Sequence, residues 1–241
     1  GSAKVLVAAG APALGTTSAG VAFALGLPDG ERLSRDAMLA AVRAITGAVT
    51  VPVSADLEAG YAEEPAGVAE TVRLALDAGA VGVNLEDGRA DGSPTPVQEH
   101  AARVRAAVDA VRASDIPAFV NARTDTVWLC VADEAETIAR LRAYAEAGAD
   151  GLFVPGATDP GLLARLVAVT PLPLNVLAGP ALPPVDELAR LGVARVSSGS
   201  GPARLAFSAA HAAARELLGS PGTYGDGGGL SYAEVNRIMG G

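Results

Sequence analysis

Val51-Pro52-Val53-Ser54-Ala55-Asp56-Leu57-Glu58-Ala59-Gly60 begins as a buried strand and ends in two carboxylates beside a glycine. The β-branched run 49–53 has no helical period, and Pro52 suits a strand entrance. Apolar residues then stop and acid begins. Gly82-Val83-Asn84-Leu85-Glu86-Asp87 and Ala118-Phe119-Val120-Asn121-Ala122-Arg123-Thr124-Asp125 end in the same way. In parallel α/β proteins the carboxyl ends of strands are where chemistry sits. The pattern predicts a scaffold that gathers these strand ends around a hard divalent cation.

Outward from this stretch a grammar repeats. Helix-patterned segments end in glycine, as at Asp77-Ala78-Gly79 and Glu146-Ala147-Gly148, and an apolar strand follows at once. A glycine in a left-handed cap closes each helix and drops the chain into the next strand. Strands are expected at 13–17, 51–56, 81–86, 118–123, 151–155, 174–177 and 195–198. Helices are expected at 34–46, with Ser34 as N-cap, and at 65–78, 97–113, 133–147, 160–169, 185–191 and 202–218. A short terminal helix is expected at 231–239. Seven strands alternating with helices predict an α/β fold, a (β/α)8 TIM-type barrel, with an open doubly wound sheet as the alternative. Residues 3–9 read as the tail of a helix with no strand before it. An eighth strand is therefore expected to precede the first residue. No linker divides the chain, so 1–241 reads as one domain with a helical tail from about 220.

The chain has 241 residues, 18 Lys+Arg against 27 Asp+Glu, and a formal net charge of −9. That balance argues against nucleic acid and anionic membrane as partners. With one cysteine, Cys130, there is no disulfide framework or thiolate zinc site. Cys130 is expected to pack. The two histidines, His100 and His211, lie in helix-patterned stretches, which disfavours a histidine-rich metal site. No apolar run is long enough to span a bilayer and no signal peptide is visible, so a cytoplasmic location is expected.

Asp56, Glu58 and Glu86 lie at the ends of neighbouring expected strands. Crowded carboxylates in an apolar setting raise one another's pKa unless a cation neutralises them. Oxygen-only ligation suits Mg²⁺ or Mn²⁺. The alternative reading is that these are ordinary polar loop residues at strand ends.

Five ordered segments change the weighing: Gly15-Thr16-Thr17-Ser18-Ala19-Gly20, Leu25-Gly26-Leu27-Pro28-Asp29, Ala55-Asp56-Leu57-Glu58-Ala59-Gly60-Tyr61, Asn84-Leu85-Glu86-Asp87 and Asn121-Ala122-Arg123-Thr124-Asp125. Together they resemble the isocitrate lyase/phosphoenolpyruvate mutase superfamily over nearly the whole chain. The resemblance implies a barrel whose last helix is exchanged between subunits of a homodimer or homotetramer. It implies substrates that are 2-oxo acids, enol phosphates or phosphonates, and C–C or P–C chemistry beside an enolate held on Mg²⁺. It implies that Asp56, Glu58 and Glu86 hold the metal, largely through water. Thr17, Ser18 and Ala19 match a turn whose backbone N–H groups bind the substrate carboxylate. Asp29 matches an acid near the reacting group, and Arg123 an arginine that pairs with the substrate. Bland alternatives stand beside these: a salt bridge from Arg123 to Asp125 or Asp87, and Asp29 as a residue of the turn Pro28-Asp29-Gly30.

The sequence also departs from that family. Where the lyases carry a cysteine loop, and the phosphonate mutases a lysine and an asparagine, 87–96 reads Asp87-Gly88-Arg89-Ala90-Asp91-Gly92-Ser93-Pro94-Thr95-Pro96. The loop 88–96 is expected to be a specificity lid. Arg89, its one cation, is a candidate catalytic residue, or else a solvated arginine. The expected activity is Mg-dependent C–C cleavage of a 2-oxo acid by a lyase or decarboxylase. Phosphonate chemistry and a non-catalytic 2-oxo acid-binding barrel are the alternatives.

Overall fold

The computed structural model describes residues 1–169, 171–219 and 229–240. Seven strands form one parallel, curled sheet in chain order: β1 Leu14–Gly15, β2 Val53–Asp56, β3 Gly82–Glu86, β4 Phe119–Arg123, β5 Gly151–Phe153, β6 Leu174–Leu177 and β7 Val193–Ser197. All seven fall on the expected segments. Among the described residues no pairing joins β7 to β1, so the curl is a half-barrel with an open seam.

Helices follow the strands. They are α1 Ser2–Ala8, α2 Ser18–Ala24, α3 Arg35–Thr46, α4 Pro65–Asp77, α5 Val97–Arg112, α6 Glu134–Glu146, α7 Pro160–Val169, α8 Val185–Leu191, α9 Gly201–Gly219 and α10 Tyr232–Gly240. Ser34 caps α3 by accepting from the Ala37 N–H, and Asp133 does the same for α6 through Glu136. Gly79, at φ +94°, makes the left-handed turn from α4 into β3. The helix α2 was not expected. Its seven residues include Gly20 in the first turn, and Thr17, read as a turn residue, is its N-cap.

Residue alternation along the strands decides where the core lies. Ala55, Val83, Leu85, Val120, Ala122, Leu152 and Val176 face the helices and form one cluster with Val68, Val72, Val104, Leu141 and Leu163. The intervening residues, among them Asp56, Asn84, Glu86, Asn121, Arg123 and Asn175, face the concave side. Two rows of register partners cross that side. One runs Asp56, Asn84, Asn121, Gly151; the other runs Glu86, Arg123, Phe153, Asn175. In a parallel sheet, partners at the same register share a face.

The segment 197–201 is a tight turn into α9, with the Gly201 N–H on the Ser198 carbonyl. Among its described neighbours α9 touches α2, and none of its residues is buried. Leu205, Phe207, Leu217 and Leu218 are exposed along it. The terminal helix α10 packs on α1, where Lys4 Nζ donates to the Met239 carbonyl. Of the glycine-rich stretch 219–229 before α10, residues 220–228 lie outside the described residues. No described helix is long and apolar enough to cross a membrane.

Candidate active site

The carboxyl ends of β2, β3 and β4 carry the predicted residues to one rim of the concave face. Asp56 closes β2. Its Oδ2 accepts the Ser18 backbone N–H at 2.9 Å and its Oδ1 accepts Asn84 Nδ2 at 3.0 Å. Asn121 Nδ2 donates to Asn84 Oδ1 at 3.0 Å. A two-amide chain thus runs along one register row and ends on the Asp56 carboxylate. Ser18 and Ala19 occupy the first turn of α2, where a helix leaves N–H groups without intrahelical acceptors. The Ser18 N–H is engaged by Asp56; Thr17 Oγ1 accepts from Gly20.

Glu86 and Arg123 are register partners, and Arg123 Nη1 lies 2.6 Å from Glu86 Oε2. The other edge of the guanidinium goes to Asp125, Nε to Oδ1 at 2.6 Å and Nη2 to Oδ2 at 3.0 Å. Its Cζ lies 5.5 Å from the centre of the ring of Phe153, the next residue in the row. The salt bridge to Asp125 foreseen as the bland reading is therefore present, together with one to Glu86. Burial alone would lower the Arg123 pKa, but Glu86 and Asp125 outweigh it and hold it above the ordinary arginine value.

Glu58 follows β2 in a left-handed conformation and is buried. The Glu31 N–H donates to its Oε2 at 2.6 Å and the Tyr61 hydroxyl to its Oε1 at 2.8 Å. Gly60, at φ +103°, lets this turn pass close over Val68; a Cβ there would sit 2.8 Å from a valine methyl. Burial lifts the Glu58 pKa, the two hydrogen bonds oppose this, and Asp29 and Asp56 add to it. Glu86 is pushed well above the ordinary carboxylate range by burial. Arg123 offsets part of that, while Asp125, Asp56 and Glu58 raise it further. Asp29 is exposed on the adjacent loop, near enough for its charge to act on Glu58.

Among the described residues, no three His, Cys, Asp or Glu side chains converge closely enough to ligate one ion directly. Each rim carboxylate already holds protein donors. This donor set fits a hard divalent ion held mainly through water rather than by a closed protein cage. It is all oxygen, and Arg123 pairs directly with two of the four carboxylates, Glu86 and Asp125, while Asp56 and Glu58 are held by neutral N–H and hydroxyl donors.

Arg89 does not reach the rim carboxylates. Its Nε donates to Thr95 Oγ1 at 3.2 Å and its Nη2 lies 3.3 Å from Glu99 on α5. The loop 88–96 is a compact hairpin bridged at Gly88 and Pro94, with the Thr95 N–H on the Asp87 carbonyl. Its base is pinned by a buried cluster that sequence reasoning missed. Asp87 Oδ2 takes Arg140 Nη1 at 3.0 Å and the Tyr144 hydroxyl at 2.7 Å; Oδ1 takes the Asp125 N–H at 2.8 Å. Arg140 Nη1 also donates to the Thr95 carbonyl at 2.7 Å. Cys130, expected to pack, is instead exposed, in a tight turn with φ +55°. Its thiol and its backbone N–H both turn back on the Val127 carbonyl of that same turn instead of entering the core.

A family model described as phosphoenolpyruvate phosphomutase matches residues 1–218. The chain belongs to that family. It lies within the isocitrate lyase/phosphoenolpyruvate mutase superfamily, as the five motifs implied. An uncharacterized protein of Mycobacterium tuberculosis (strain H37Rv) is 42% identical over 214 residues, covering 88% of this chain and 79% of that protein. The crystal structure of 2,3-dimethylmalate lyase is similar at TM-score 0.88 and 27% identity, over 99% of this chain and 86% of that one. Phosphonopyruvate hydrolase in complex with oxalate and Mg²⁺ is similar at TM-score 0.86 and 25% identity, over 99% and 86%. Family members are lyases and mutases, and the site here sits on the rim of the same barrel type.

Proposed function

We propose that this family member is a Mg²⁺- or Mn²⁺-dependent enzyme that cleaves the C–C bond one carbon removed from the carbonyl of a small 2-oxo acid, the bond whose breaking leaves an enolate. The carrying observation is the rim itself: Asp56, Glu58 and Glu86 share one concave edge with a single pairing guanidinium, Arg123. That surplus of buried negative charge is tolerable when a dication balances it. Bound there, the ion would supply Lewis-acid polarisation of the 2-oxo group.

The chain's own residues do the rest. Arg123, over the Phe153 ring and fixed by Asp125, presents a forked donor to a carboxylate or a developing enolate oxygen. Substrate and Glu86 then compete for its Nη1 edge. At the N-terminal turn of α2 a substrate carboxylate would take the Ala19 N–H and compete with Asp56 for the Ser18 N–H. Asp29, on its exposed loop beside Glu58, is the group placed to exchange a proton with the departing fragment.

Charge favours C–C over P–C cleavage. A phosphonate would bring further negative charge to a rim where Arg89, the cation of the loop 88–96, is turned to Glu99. The likeness to phosphonopyruvate hydrolase supports the second reading, phosphonate chemistry. A turnover screen of 2-oxo acids and phosphonopyruvate with Mg²⁺ separates the two: CO₂ or an aldehyde is the expected product, and phosphate the contrary one. Tight oxalate binding with no turnover across the panel would mark a non-catalytic barrel. The exposed apolar length of α9 supports exchange of that helix within a homodimer or homotetramer. Sedimentation as a monomer would count against it.

A further inference from the structure

Among the described residues, four that are not glycine have left-handed φ angles: Glu31 at 51°, Glu58 at 50°, Tyr61 at 55° and Cys130 at 55°. Three of the four meet in one place. Side chains adopt this conformation at a cost, and it persists where the surroundings impose it, characteristically at functional sites. What imposes it here is a reciprocal clasp between two loops. Glu31 Oε1 accepts the Ala59 N–H at 3.2 Å and the Tyr61 N–H at 3.3 Å. In return the Glu31 N–H donates to Glu58 Oε2 at 2.6 Å, and the Tyr61 hydroxyl closes the far side on Oε1 at 2.8 Å. Each glutamate thus takes backbone N–H donors from the loop that carries the other, and Tyr61, on the same loop as Glu58, adds its hydroxyl.

The clasp has consequences at the rim. Free to rotate, the Glu58 carboxylate could swing away from Asp56; held on both oxygens, it has one direction. The same contact ties down the loop carrying Asp29, two residues before Glu31. We propose that Glu31 is a positioning residue, whose clasp on the loop 57–61 sets the direction of Glu58 and keeps Asp29 beside it. This rests on the reading of the rim as a divalent-cation site. Glu31 itself is exposed and lies outside the ligand set, so it acts through Glu58.

Two variants of the full chain test this. Glu31→Gly removes the side chain while suiting the positive φ, so any loss cannot come from backbone strain. Glu31→Gln keeps an acceptor oxygen. Hydrogen exchange reads the clasp without any metal: the Ala59 and Tyr61 amides are expected to lose protection in Glu31→Gly and to keep most of it in Glu31→Gln. Mn²⁺ titration reads its consequence. Affinity is expected to fall about 10–100-fold in Glu31→Gly, the usual range for groups that orient metal ligands. The thermal midpoint should stay near wild type, and Glu31→Gln should restore most of the affinity. Mn²⁺ affinity unchanged in Glu31→Gly overturns the proposal. So does an affinity that falls only in step with global unfolding. Failure of the wild type itself to bind Mn²⁺ sinks the reading of the rim, and the role given to the clasp with it.

Discussion

Glu86 and Asp87 are neighbours in the chain and opposites in their surroundings. Glu86 points into the concave face, where one guanidinium serves it and Asp125, and where Asp56 and Glu58 add like charge. Asp87 points into the helix layer, fully buried, where Arg140, Tyr144 and the Asp125 N–H complete its lone pairs. One carboxylate is left with surplus charge and the other is balanced. The difference separates site from scaffold. A protein that can satisfy Asp87 so completely one residue away has not failed to satisfy Glu86; the unmatched charge there is available for a ligand.

Breaking the balanced side should have the largest effect. Asp87→Ala takes from Arg140 its buried carboxylate, leaving it only the partly exposed one of Glu136, and strips the Tyr144 hydroxyl of its acceptor; breaking a buried pair in this way costs about 3–5 kcal/mol. It should also free the base of the loop 88–96, since Arg140 holds the Thr95 carbonyl as well. A urea unfolding curve for Asp87→Ala within about 1 kcal/mol of wild type, close to the size of an ordinary surface change, would erase the contrast.

Next in size comes a pH effect beside the same cluster. His100 is fully buried edge-on to Tyr144, and among the described residues neither ring nitrogen has a well-formed hydrogen bond, the Leu85 carbonyl being only a weak partner. Burial lowers its pKa from 6.5 to about 4. The unfolded chain then binds the extra proton first, so stability is lost as pH falls from 6.5 through 4. The loss amounts to roughly 3 kcal/mol when complete. His100→Phe should abolish that share of the acid sensitivity, whereas equal acid slopes for variant and wild type would contradict it.

Smaller again is the amide chain that feeds the rim. Asn84→Leu leaves a lone pair of Asp56 and an amide of Asn121 without partners, a cost of about 1–3 kcal/mol. Mn²⁺ affinity should fall with it, because Asp56 loses the donor that orients it. Smallest is Arg89→Ala. Its pair with Glu99 is about two-fifths exposed on both sides, so stability should change by about 0–1 kcal/mol. Any loss of turnover larger than that would return Arg89 to the catalytic set.

Much of the architecture was legible because it is written locally. Glycine punctuation and caps such as Ser34 located the strands and most helix ends. Asp56 and Glu86 stood out because acid follows an apolar run. The remainder depends on pairs far apart in sequence. Asp87 meets Tyr144 across 57 positions, and Glu31 meets Glu58 across 27. No local pattern reports such contacts. One missed signal was available: Asn84, Asn121 and Asn175 alternate with apolar residues inside strands, which marks a polar concave face rather than strands buried on both sides. The helix α2 escaped notice because a seven-residue segment with glycine in its first turn carries little helical period.

The central claim is that the rim carboxylates jointly hold a divalent ion. Mn²⁺ titration followed by electron paramagnetic resonance, on wild type, Asp56→Asn and Glu86→Gln, tests it most directly. One Mn²⁺ per chain in the wild type, lost or weakened at least tenfold in both variants with folding intact, is the expected result. An ion bound equally well by all three proteins, or by none of them, would contradict it.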